Sequence, residues 1–298
     1  MRLIDYISHY FLMLLSAISS RLSMKSRNKL GRMLGGILQR LSKERRNVTL
    51  RNLSESLPNL SPAEHNKICR NSYDNLGITL AELLAFPSMS EADFKNYVKI
   101  TNTELVEEKI KSGKGIILLS GHFGNWELMA YVAGLILNLP ITIIVKPQSN
   151  KLSDKYLNKF RTQGGNKIVP MSNAARTILQ ALKKNEAIAL LVDQSADWQK
   201  DVFVDFFGRP AATYEAPAAI ALKYGSPIIT GFAHRLPDCT YLVELKELDY
   251  SDLDDSRESI IELTRRHVKV LEDNIMMNPG LWSWQHKRWK HEPPELKQ

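Results

Sequence analysis

The period of apolar and polar positions changes along the chain. Between residues 114 and 246, continuous apolar runs at 115–120 (GIILLS), 141–145 (ITIIV), 187–193 (AIALLVD) and 227–233 (PIITGFA) have strand length. Stretches long enough for helices lie beside them, at 125–138, 152–163, 172–184 and 213–224. Continuous apolar runs suit strands covered on both faces, and strand–helix alternation predicts a mostly parallel sheet with crossover helices. The run 240–246 (TYLVELK) alternates instead, which suits an edge or antiparallel strand. A helix is predicted over 61–86, with Ser61 as N-cap, Pro62 at the first helical position, Glu64 closing a Ser-x-x-Glu box and Pro87 beyond its end. A last helix is predicted over 256–275, with Ile260, Leu263, His267, Val270 and Leu271 on one side. No internal repeat and no Gly/Ser linker divides the chain. The expected class is α/β: a mostly parallel central sheet with flanking helices (residues 51–298), preceded by a helical N-terminal portion (residues 1–50).

Charge changes the reading of that N-terminal portion. The 298 residues carry a formal net charge of +8, and residues 21–51 alone hold ten Lys and Arg against one acid, Glu44. The rest of the chain is close to neutral. Within the block, Leu30, Met33, Leu34, Ile37, Leu38 and Leu41 recur at helical spacing, with Arg27, Arg32, Arg40 and Lys43 between them. Such a segment is either a core-facing helix with a solvated basic side or a basic amphipathic helix lying on an anionic bilayer. Membrane association is the expectation carried forward. Residues 3–20 (LIDYISHYFLMLLSAISS) are interrupted by Asp5 and His9. They are short for a spanning helix, which needs about 20 mostly apolar residues. They also lack a small-x-small cleavage site before the basic run. If they span, the basic residues beyond Arg21 hold the body in the cytoplasm. No zinc-finger or RNP pattern accompanies the block, so nucleic acid is not an expected partner. Cys69 and Cys239 stand too far apart for a paired-Cys zinc site or a disulfide framework. A composition 44% hydrophobic and 24% charged argues against extended disorder.

One segment stands out for chemistry: Ser120-Gly121-His122-Phe123-Gly124-Asn125-Trp126-Glu127, directly after the apolar run 115–120. The carboxyl end of a parallel strand is where α/β folds place ligands, and the glycines permit a tight turn. His122 and Glu127 can meet only if His122 lies in the turn and Glu127 on the first turn of the next helix. The N–H groups opening that helix would suit an anion or a developing oxyanion. A histidine oriented by a carboxylate is a general base for a hydroxyl. The same residues also fit a structural histidine at a strand end beside a surface Glu. No Gly-x-Ser-x-Gly elbow, zinc helix or glycine-rich phosphate loop is present, so neither a metal nor a cofactor is expected.

The segment GHFGNWE resembles the His-x4-Asp/Glu motif of glycerolipid-type acyltransferases, in the form found in the bacterial lipid A late (secondary) acyltransferases. The likeness extends along the chain. It includes Arg51-Asn52-Leu53 with Leu57-Pro58, Lys146-Pro147 with Arg161 and Gly164-Gly165, and Asp193-Gln194 with Phe206-Phe207-Gly208 and Thr213. It ends on Trp284-Gln285-His286-Lys287-Arg288-Trp289-Lys290. The resemblance implies that His122 deprotonates an acceptor hydroxyl and that Glu127 orients it, with the thioester of acyl-carrier protein as electrophile and a lipid A precursor as acceptor. It implies Asn125 and Arg161 as substrate-positioning or oxyanion groups, Arg161 with the fork to hold a lipid A phosphate, and Asp193 and Gln194 as supporting substrate contacts. Phe206-Phe207-Gly208-Arg209-Pro210 lacks the Glu of the Phe-Pro-Glu-Gly block of glycerol-phosphate acyltransferases, which favours a glycolipid acceptor. The implied location is the inner membrane, with the catalytic domain on the cytoplasmic face. An acyl-CoA donor, another glycolipid acceptor, or a non-catalytic lipid-binding protein are the alternatives.

Overall fold

A computed structural model describes residues 3–137, 139–162 and 165–293; Gly164 lies outside the described residues. Four helices open the chain: α1 (Leu3–Ser19), α2 (Met24–Leu41), α3 (Lys43–Ser56) and α4 (Pro62–Leu83). Then come α5 (Glu91–Tyr97), β1 (Val98–Thr101) and α6 (Glu104–Ile110). The strand–helix alternation follows, with β2 (Ile116–Ser120), α7 (Trp126–Ile136), β3 (Ile141–Val145), α8 (Lys151–Thr162), β4 (Lys167–Pro170), α9 (Ala174–Lys183) and β5 (Ala187–Leu191). A hairpin of β6 (Val202–Phe206) and β7 (Arg209–Thr213) precedes α10 (Ala216–Tyr224). The chain continues through β8 (Ile228–Thr230), β9 (His234–Arg235), β10 (Tyr241–Glu244), β11 (Lys246–Leu248) and α11 (Arg257–Met277).

The main sheet has the order β11-β8-β2-β5-β3-β4 and is parallel except for β11, which runs antiparallel to β8. The continuous apolar runs have the expected cause. In β2, Ile116 and Leu118 pack with the α7 cluster, while Ile117 and Leu119 pack with residues of α9, α10 and α11 on the opposite face. The run 240–246 divides at Leu245. Its first part, β10, lies in a second sheet of order β1-β10-β9, parallel to β1, and β11 forms the antiparallel edge of the main sheet. The helix predicted from Ser61 keeps its capping box and Pro62 but stops at Leu83, with a 3-10 turn over Phe86–Ser88 around Pro87. The stretch 213–224 holds a shorter helix because 209–213 pairs as β7. The hairpin turn puts Phe207 (φ 54°) and Gly208 (φ 67°) in left-handed conformation, the geometry that matches strand twist.

The N-terminal helices meet through small residues. A side chain at Gly77 of α4 would lie 2.1 Å from the Gly31 carbonyl oxygen, and one at Gly35 would lie 2.2 Å from that of Tyr73. The α2–α4 contact is therefore backbone against backbone, and it leaves Met33, Ile37 and Leu41 exposed on α2. On α1, the Ser16 and Ser19 hydroxyls donate to the Leu84 and Ala81 carbonyls, while Leu3, Ile4, Ile7, Tyr10, Phe11 and Leu14 face outward. Among the described residues no helix is long and apolar enough to cross a membrane.

Candidate active site

Strand pairing builds the site. β2 and β5 are adjacent and parallel, with Ser120 opposite Leu191. Two residues beyond each strand's carboxyl end stand His122 and Asp193. His122 Nδ1 lies 2.8 Å from Asp193 Oδ1, and the His122 backbone N–H donates to Asp193 Oδ2 at 2.8 Å. The Trp282 indole N–H donates to the same Oδ2 at 2.8 Å. Three donors thus converge on one carboxylate whose side chain is 2% exposed, and they fix both its position and the histidine tautomer. Nδ1 carries the proton that Asp193 accepts, so Nε2 is left as the basic nitrogen. It faces the Gln194 amide nitrogen at 3.3 Å.

The two ionisations support each other. Burial lowers the His122 pKa, but the Asp193 charge and hydrogen bond, with Glu127 behind them, outweigh it and raise the pKa above its usual value. Burial pushes Asp193 upward, but the His122 charge and the hydrogen bonds from His122 and Trp282 hold it at about 2.

Glu127 does not make the orienting contact expected of it. Its oxygens accept both arms of Arg161, at 2.7 Å from Nε and 2.6 Å from Nη2, while Arg161 Nη1 donates to Asn158 at 2.8 Å. The pair is mostly buried, with side-chain exposures of 12% and 14%. The fork expected to hold a phosphate is thereby occupied by Glu127, and Glu127 reaches His122 only through its charge. Asn125 is likewise placed for structure: it is fully buried, its oxygen caps α7 at the Leu128 N–H, and its amide donates to Glu82 at 2.5 Å. Glu82, also buried, accepts from Tyr97 and Tyr241 at 2.8 and 2.6 Å. This network seats the start of α7.

The GHFG turn is fastened to the chain's last segment. Phe123 bridges to Trp282, Gly124 N–H donates to the Leu281 carbonyl, and Ser283 N–H donates to the His122 carbonyl. Gly124 has φ of +57°, and a side chain there would lie 1.7 Å from the Ala233 carbonyl oxygen. Farther on, burial lowers His286 to about 4, so its neutral ring accepts the Ser195 N–H at 2.9 Å. Buried Arg288, held near 10 by burial, donates to the Gln194 and Ala212 carbonyls and the Thr213 hydroxyl. The segment on which the family likeness ends therefore clamps the loop that carries Asp193 and Gln194.

A cavity of about 560 Å³ opens beside this group. His122, Gln194, Glu127, Arg161 and His286 line it, and Lys146 and Lys290 also border it. Its remaining wall is largely apolar, drawn from β2, β3, β5, β8 and α7. Among the described residues no cluster of His, Cys, Asp and Glu is placed to hold a metal ion.

The sequence model of the family described as bacterial lipid A biosynthesis acyltransferase matches residues 1–291. The chain belongs to that family. It is 28% identical over 213 residues to a lipid A biosynthesis acyltransferase of Haemophilus influenzae, a match covering 69% of this chain and 65% of that protein. It is 26% identical to the lipid A biosynthesis lauroyltransferase of Escherichia coli K12, over 74% of this chain and 71% of the relative. It is 20% identical to a phosphatidylinositol mannoside acyltransferase of Mycobacterium tuberculosis, over 73% and 69%. The chain thus matches about two thirds of the length of these relatives.

Trp282, His286 and Arg288 had no assigned place in the site from sequence. Their signal was a dense aromatic and basic run with neither helical nor strand periodicity, which marks a segment ordered by tertiary contacts.

Proposed function

We propose that this chain transfers a fatty acyl group from the thioester of acyl-carrier protein to a hydroxyl of a lipid A precursor. The observation that carries the reading is the His122–Asp193 pair, with basic Nε2 at the mouth of a largely apolar cavity. In the reaction the acceptor hydroxyl displaces the Gln194 amide from Nε2 and gives up its proton there as its oxygen attacks the thioester carbonyl carbon. Asp193 stabilises the imidazolium that forms. The tetrahedral intermediate collapses with loss of the carrier thiolate, which takes the proton back from His122. Atoms balance as ester plus thiol. The apolar walls take the acyl chain, whose burial contributes about 0.8 kcal/mol per methylene. The Glu127–Arg161 pair holds α7 and α8 together at the mouth, and Lys146 and Lys290 there suit phosphate groups of donor or acceptor.

A location at the inner-membrane surface, facing the cytoplasm, is part of the proposal. It is supported by the outward apolar face of α1, by Met33, Ile37 and Leu41 on α2, and by the basic residues of 21–51 beside them. The acceptor class shared with the mannoside-acylating relative is a glycolipid hydroxyl.

Purified protein given acyl-carrier-protein thioester and lipid A precursor is expected to form acylated product. His122→Ala is expected to slow it by about 10²–10⁴-fold. A folded His122→Ala variant as fast as the wild type overturns the mechanism. Product on a mannoside but not on a lipid A precursor reassigns the acceptor.

A further inference from the structure

A second groove, of about 660 Å³, shares no lining residue with the cavity beside His122. It runs over one face of α4, between the turn after β9 and the segment 278–281. Two polar groups on it are unmatched. Asn75 gives its amide hydrogens to the Gly124 and Leu281 carbonyls, each at 2.9 Å, while its buried Oδ1 receives no hydrogen bond. Arg235 Nε donates to the Tyr241 hydroxyl at 2.8 Å, but its buried Nη2 has no acceptor. Buried donors and acceptors are rarely left unpaired, and a ligand carrying both partners would satisfy the two together. The uncommitted charge on the groove is positive. Glu64 is held by the Ser61 cap, and Asp74 by Arg32 and Arg70. Glu82, behind Tyr241, is taken by Tyr97, Tyr241 and Asn125. Lys67 and Arg235 line the groove and form no ion pair among the described residues. Arg235 reaches Glu82 through Tyr241, and Glu82 lies about 10 Å from Asn75 along α4. An anion and a hydroxyl separated by a length of that order describe a phosphorylated sugar or polyol.

We propose that this groove binds the phosphate ester of a sugar or polyol, a ligand distinct from the reactants of acyl transfer. The Arg235 guanidinium takes the phosphate, for which its planar fork is suited, and Asn75 Oδ1 accepts from a hydroxyl. Neither contact displaces a protein hydrogen bond, because neither atom makes one. The same two residues are the outer ends of two short chains leading to the turn that carries His122. Asn75 holds the Gly124 carbonyl directly. Arg235 acts through Tyr241 and Glu82 on Asn125, whose side chain caps α7. Occupancy of the groove therefore steadies that turn from the side opposite the reactants.

The test titrates the full chain by calorimetry with glucose 1-phosphate, glucose, inorganic phosphate and monomeric dihexanoyl-phosphatidylglycerol. Glucose 1-phosphate is expected to bind about tenfold or more tightly than glucose or phosphate, each of which lacks one of the two contacts. Arg235→Gln is expected to weaken that binding by about tenfold or more. Asn71→Trp, at an exposed position on the groove, is expected to block it with Arg235 and Asn75 still in place. If Arg235→Gln fails to fold, Asn71→Trp decides. With ligand saturating, hydrogen exchange across residues 121–128 is expected to slow by about tenfold. Tighter binding of glucose 1-phosphate than of the short-chain lipid, lost in Asn71→Trp, identifies a free sugar phosphate as the ligand. The reverse order, lost in the same variant, identifies a lipid headgroup. No binding of either ester, binding unchanged in the folded variants, or equal affinity for inorganic phosphate overturns the proposal.

Discussion

Replacing Asp193 with Asn tests the site at the one atom where it is most exposed to failure. Asp193 Oδ2 accepts two N–H groups, from the His122 backbone and Trp282, and Oδ1 accepts the ring Nδ1–H, each at 2.8 Å. An asparagine has a single acceptor oxygen. Two of the three donors are fixed on the Oδ2 side, so the oxygen settles there and the new NH2 group faces Nδ1. The ring must then accept at Nδ1 and carry its proton on Nε2, which makes Nε2 a donor where the mechanism needs a base. The side chain keeps its shape and most of its hydrogen bonds, so the variant should remain folded at neutral pH. The kcat should fall by about 10²–10⁴-fold, the whole contribution of general-base catalysis. The assay is single-turnover acyl transfer from a carrier-protein thioester, with 15N NMR of the His122 ring reporting the tautomer. The wild-type rate should rise with pH as His122 loses its proton, with the limb above the ordinary imidazole value of 6.5 because Asp193 raises it. A folded Asp193→Asn enzyme within about threefold of wild type, with Nδ1 still protonated, would refute the assignment of Asp193 as the orienting group.

Other expectations follow from the same contacts. Gly124→Ala should cost at least about 3 kcal/mol, combining left-handed strain with overlap on the Ala233 carbonyl, and is checked by denaturant melts. Glu127→Gln leaves Arg161 mostly buried without its partner. It should destabilise by about 3 kcal/mol, and pairing it with Arg161→Met should restore much of the loss; a double variant no better than the single contradicts a charge-burial origin. Because the Asp193 carboxyl sits near 2 rather than 3.8, its stabilising contribution is present above pH 4 and lost between about pH 4 and pH 2. Acid melts of wild type and Asp193→Asn should therefore converge over that range. Neutralising Arg40, Lys43, Arg45 and Arg46 together should reduce flotation with anionic liposomes while the melting temperature is kept; unchanged flotation removes that surface from membrane contact.

Much of this was legible before the structure. Continuous apolar runs marked the strands, a capping box marked the start of α4, and the strand-end setting of GHFGNWE drew attention to His122. What sequence left unsolved was which carboxylate His122 meets. Glu127 is five positions away, but it opens α7 and turns toward α8. Asp193 is distant in sequence, and it arrives because β5, not β3, lies beside β2. Strand order is a long-range property, and no local period encodes it. The short strands β1 and β4 have too few residues to display a period. The contact of α2 with α4 was hidden for a related reason: its closest approach is made by glycines, which carry no hydrophobic signal.

The glycine seam between α2 and α4 has a mechanical consequence. From α4, Asn75 and Thr79 donate to the Gly124 carbonyl, and Glu82 holds Asn125. The helix bearing Met33, Ile37 and Leu41 is therefore joined to the turn that carries His122 through a backbone seam and three buried side chains of α4. If that face rests on a bilayer as proposed, the height of the base above the lipid plane becomes a constant of the architecture. Acceptors would then be sorted by how far their reactive hydroxyl stands from their own anchored chains, a selection by elevation that needs no contact with the hydroxyl's neighbours.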